Sequence, residues 1–139
     1  MTTFKPARWL ALLGCSVALT AAHAANMTKE EASAEKARIE AEYKADRKAC
    51  DAMNGNAKDV CLEQAKGKEK VARAELEYKQ DASERHRGKV ATAKADAQYS
   101  VAKEKCDDLT GDQKDVCVKD AKAAKARAEA DLKSAKQGG

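Results

Sequence analysis

Small and apolar residues recur along this chain at alternating steps of three and four. Ala95, Tyr99, Ala102, Cys106 and Leu109 form one such stripe, and Ile39, Tyr43, Asp46, Cys50 and Met53 form another with one polar interruption at Asp46. Steps of this kind place every member on one side of an α-helix, in a seam as narrow as that of a coiled coil. Facing stripes come next: Cys61, Ala65, Ala72 and Leu76 after the first, and Cys117, Ala121, Ala124, Ala128 and Leu132 after the second. The pattern predicts an all-α fold of two tandem antiparallel helical hairpins.

Between the stripes of each pair stands a twelve-residue element. CDAMNGNAKDVC, Cys50 to Cys61, returns as CDDLTGDQKDVC, Cys106 to Cys117. Tyr43, Gly55, Ala65, Lys66 and Leu76 also recur, without a gap, as Tyr99, Gly111, Ala121, Lys122 and Leu132, so the chain is an internal duplication. One hairpin is assigned to residues 25–82 and the other to 83–139. Thr28 with Glu31 makes a capping box for the first helix, and Ser83 opens the second unit. The first helix of each unit is expected to run to Asn54 or Thr110, with Gly55 or Gly111 in the left-handed region as its stop. Asn56 with Asp59, and Asp112 with Asp115, then supply a cap and an acid near the positive end of the next helix. Asn-Gly also signals a β-hairpin, but its flanks lack β-branched alternation. Val60, Val71 and Tyr78 offer part of a second apolar face in the first unit and the second unit is poorer, so the hairpins are expected to be extended or loosely packed as a four-helix arrangement.

The cysteines bear on both stability and compartment. Cys50, Cys61, Cys106 and Cys117 allow three pairings, of which the repeat favours 50–61 with 106–117, because each unit then closes itself. The first 24 residues have the layout of a secretory signal peptide: Lys5 and Arg8, an apolar run from Trp9 to Ala22, and a small-x-small site at Ala22-His23-Ala24. That run is short of the roughly 20 residues a transmembrane helix needs. Cleavage after Ala24 would leave an exported, periplasmic chain in which disulfides are the default. Leu12-Leu13-Gly14-Cys15 also reads as a lipobox, making an envelope lipoprotein anchored through a lipidated Cys15 the alternative; Leu13 is larger than the residue usual at its position.

Composition narrows the core. From Ala25 onward there are one Ile, four Leu and six Val, beside 25 alanines, and Tyr43, Tyr78 and Tyr99 are the aromatics. At about 25 cal/mol per Å² of apolar area, methyl groups supply little per residue. Helix propensity, long seams and covalent staples have to carry the stability. Without Lys5 and Arg8 the 27 basic residues become 25, against 23 acidic ones. The two signs are interspersed, which describes a solvated helical surface and not a nucleic-acid footprint.

No catalytic constellation is evident. His86, the one histidine after the proposed cleavage site, lies in SERHRGK and reads as a solvated surface residue. There is no phosphate-binding glycine loop, and no short Cys-Cys spacing of the redox or zinc type. An enzyme is not expected, nor a cofactor or a metal site.

With the duplicated hairpin and the Lys-Asp-Val-Cys tail of each copy (Lys58 to Cys61, Lys114 to Cys117) in view, the chain resembles a group of small Ala/Lys/Glu-rich exported proteins of Gram-negative bacteria. Some of these are likened by composition to the cell-envelope protein TolA. The resemblance covers nearly all the chain after residue 24 and transfers no functional residue. It implies a non-enzymatic periplasmic helical protein with a structural, spacing or protein-interaction role. The alternatives are a stress protectant that holds unfolded chains and, third, a thiol-redox or metal-handling protein.

Overall fold

The computed structural model describes residues 27–137. The signal peptide assigned to residues 1–24, its cleavage site and Cys15 lie outside the described residues. Four helices follow one another, α1 (Lys29–Cys50), α2 (Gly55–Gln80), α3 (Glu84–Lys105) and α4 (Gly111–Gln137), with a 3-10 turn at Cys106–Asp108. Among the described residues there is no strand.

The helix starts follow local chemistry. Thr28 Oγ1 accepts the Glu31 N–H at 3.1 Å while the Glu31 carboxylate accepts the Thr28 N–H at 2.8 Å, the reciprocal box that the sequence predicts. Ser83 Oγ accepts from the His86 N–H at the head of α3. The turns differ from expectation: α1 stops at Cys50 and α3 at Lys105, short of Asn54 and Thr110. Reversing direction at helix-packing distance takes several residues. The Met53 N–H bonds to the Cys50 carbonyl, and Leu109 to Cys106, tightening these segments. Gly55 and Gly111 do lie in the left-handed region, at φ 58° and 56°, but each opens the following helix.

Each helix packs on its neighbours in sequence: α1 on α2, α2 on α3, α3 on α4. Among the described residues α1 and α4 share no packed seam, so the helices form a serial up-down-up-down array with two edges. The sequence left extended and four-helix arrangements open; the latter is observed, and its central seam, α2 with α3, joins the two hairpins. The core is as thin as the composition implies. Ile39, Leu76, Ala65, Ala74, Ala95 and Ala121 are buried, and Cys50 and Cys106 are the most deeply enclosed side chains.

Candidate functional site

The alternating helix directions bring both hairpin tips to one end of the array. There Cys50 is bonded to Cys61, with Cα atoms 5.6 Å apart, and Cys106 to Cys117, at 5.7 Å. All four fit ordinary disulfide geometry, and the pairing is the one the repeat favours. Asn56, which the sequence assigns as the cap of α2, instead donates from Nδ2 to the Glu104 carbonyl at 3.0 Å. It thereby brings a side-chain donor to the last turn of α3 and ties one tip to the other.

A groove open to solvent runs beside the second disulfide. Ala102, Leu109, Val116, Ala121 and Ala124 form its apolar floor, and Asp112 and Asp120 stand along its length. Its counterpart in the first hairpin is bridged. Where the second unit has Ala102 and Ala124, the first has Asp46 and Lys68, whose ion pair at 2.9 Å spans α1 and α2. Asp46, the polar interruption in the first stripe, is thus half of a cross-helix tie, and its replacement by alanine leaves the second groove uncovered. Leu109 and Val116 are both exposed there.

The ionisable groups serve the seams. Glu35 holds Arg38 with two hydrogen bonds and reaches Lys79 on α2; the Arg38 hydrogen bonds, chiefly, hold its carboxyl down at about 2. The hydrogen bond from Lys114 lowers Asp107 across the second tip, and that from Lys89 lowers Glu77 across the link between hairpins. Lys125 meets the buried Asp96 Oδ1 at 2.6 Å and lies over the Tyr99 ring. Glu35, Asp107 and Glu77 are thus stabilised as anions by neighbouring cations, the electrostatics of ties along and between helices. Among the described residues no group of three or more His, Cys, Asp or Glu is placed to hold a metal ion, and no helix is long and apolar enough to cross a membrane.

His86 is where the structure overturns the sequence reading. It is buried, its side chain 11% exposed, where α3 leaves the link. Nδ1 faces the Asp81 carboxylate at 2.9 Å and the Asp81 carbonyl at 3.0 Å, two acceptors that require it to carry the proton. Ser83 Oγ lies 3.1 Å away, and Nε2 points towards Glu77 at 3.8 Å. Folding the second hairpin back onto α2 covers the residue, which flanking arginines in the sequence do not reveal. Gly67 was also unrecognised. A glycine inside a helix of good formers costs about 1 kcal/mol, and that cost is the available signal of a close approach.

Comparison with protein-family models, with curated proteins and with solved structures finds no match to this chain.

Proposed function

We propose that this is a non-enzymatic exported protein of the bacterial cell envelope, acting through structure and protein contact. The observation that carries the reading is the stapled end, where two disulfides and the Asn56 tie fix the tips of a thin-cored helical array beside an uncovered apolar groove. Such an array has little interior in which to desolvate a reacting group, but it presents long polar faces and one fixed apolar strip to another protein. Disulfides in a small chain with an apolar leader support export, and the periplasm is the compartment proposed. Enclosure of Cys50 and Cys106 favours staples over reactive thiols. The packed α2–α3 seam favours a folded spacer over a largely unfolded protectant.

The test is to isolate the tagged chain from fractionated cells and to measure its intact mass and peptide map without reduction. A periplasmic chain beginning at Ala25 with both pairs closed is expected; a cytoplasmic chain that retains residues 1–24 and free thiols overturns the reading. A photo-crosslinker at Leu109 should then give a discrete adduct with an envelope protein, and a profile no different from that of a crosslinker at exposed Thr92 would remove the groove from it.

A further inference from the structure

The duplication gives the α2–α3 seam a twin that stays empty among the described residues of one chain. Each α2 residue has a counterpart 56 positions later on α4, and each α3 residue from Arg85 to Lys105 has one 56 positions earlier on α1. Val60, partly covered on α2, corresponds to Val116, 56% exposed on α4; Ala97, which sits against Gly67, corresponds to the exposed Ala41 on α1. We propose that a second copy of the chain fills this vacancy, α4 of one molecule docking head to tail on α1 of the next in the register that α2 and α3 use.

The charges carry the inference. The Asn56 tie to the Glu104 carbonyl has no twin, because the Asp112 side chain in the place of Asn56 carries no N–H to donate to the Lys48 carbonyl. The Glu75–Lys94 ion pair becomes Asp131 against Arg38. Glu77 and His86 become Lys133 against Glu30, a pair of opposite charges. Glu77 with Lys89 becomes Lys133 with Ser33, which is neutral. No transposed tie sets like charges together. Lys48, Asp112, Asp131, Lys133 and Glu30 also form no ion pair with another described residue of their own chain, whereas Arg38 is held by Glu35 and Glu42. Complementary potentials of this kind select partner and register.

The packing sets the strength. At the tightest point Gly67 becomes Ala123 and Ala97 becomes Ala41, and a Cβ on Gly67 would already lie 2.8 Å from the Ala97 Cβ. Two methyl groups therefore hold the intermolecular seam further apart than α2 and α3, and association is weaker than the docking inside the chain. Because the two faces differ, each added molecule exposes a fresh edge, and the series is open and does not close as a dimer.

Sedimentation velocity of the chain with its disulfides intact, from about 10 µM to about 1 mM, tests the proposal. The weight-average mass is expected to rise with concentration and to pass that of a dimer. Asp131→Lys should weaken each step by about two- to fivefold, the range of an exposed ion pair, and Arg38→Asp added to it should recover the loss. Ala123→Gly, which recreates the Gly67 notch, should tighten it. A constant mass over the whole range, growth that stops at two copies, or growth indifferent to both Asp131→Lys and Ala123→Gly overturns the proposal. Circular dichroism of each variant identifies one that has merely unfolded, and the charge reversal and the glycine, whose effects are opposite in sign, check each other. The proposed envelope role is tested separately by localisation and survives failure here; because Val116 and Asp112 of the groove also belong to this seam, a crosslinker at Leu109 tells the two apart by giving a self-adduct for assembly and an adduct with another protein for the envelope role.

Discussion

Gly67 of α2 lies directly against Ala97 of α3, so close that a Cβ on the glycine would sit 2.8 Å from that of the alanine and 3.4 Å from its Cα. This notch lets the hairpins pack despite their shortage of large side chains, because the helix axes approach until Val71 and Val101 line one groove with it. Gly67→Ala gains about 1 kcal/mol of helix propensity and meets an overpacking cost of about 1–3 kcal/mol. The expected result in urea denaturation is a net loss of up to about 2 kcal/mol. A stabilised protein would mean that the seam yields freely.

Gly55 and Gly111 have the opposite character, since nothing lies within 4 Å of where their Cβ atoms would be and only φ, at 58° and 56°, demands glycine. An L-residue there costs about 1–2 kcal/mol. Gly55→Ala should lower stability by that amount, while D-alanine introduced at the same position by chemical ligation should leave it unchanged or raise it by about 0.4–1 kcal/mol. Equal losses from both alanines would show that space, not backbone, decides the site.

Much of this molecule was legible because its local signals are strong and duplicated. The stripes through Tyr43 and Tyr99, the Thr28–Glu31 box, the left-handed glycines and the disulfide pairing need only helical period and turn chemistry. The α2–α3 seam was half legible: Val60 and Val71 mark a second face, but its closeness depends on one missing methyl group at Gly67. Asn56 and His86 were not, because their partners are a carbonyl 48 residues away and a pocket that exists only after the second hairpin folds back. The uncovered groove was legible only in hindsight, as the exchange of Asp46 and Lys68 for Ala102 and Ala124. It takes the structure to show that those residues face one another.

The two disulfides close equal loops but hold unequal helices. For a loop of about 12 residues each contributes about 2.8 kcal/mol in the chain-entropy description. Among its described residues α4 buries only Ala121 and packs on α3 and the 3-10 turn that follows it, whereas α1 anchors itself through Ile39. Replacing Cys106 and Cys117 together by alanine should therefore release α4, seen as faster amide hydrogen exchange along 111–132 with α2 still protected. Replacing Cys50 and Cys61 should cost a similar global stability, with α1 opening less. Uniform exchange in both variants would show that the four helices open only as one unit.

Acid should weaken the first hairpin in a defined window. Glu35 has its carboxyl lowered from 4.5 to about 2, first by the Arg38 hydrogen bonds and then by Lys79 on α2. A carboxylate whose pKa is lower folded than unfolded binds protons more readily in the unfolded chain, so its contribution is complete above about 4.5 and disappears as the pH falls towards about 2. Glu35→Gln should be less stable than the native chain at pH 7, and the gap should close between pH 4.5 and pH 2. Added salt should narrow the gap at pH 7, because Glu35 and its partners lie near solvent. Chemical denaturation of the two proteins at a series of pH values measures the difference directly, and a gap that persists at pH 2 would assign the loss to the side chain's packing instead of its charge.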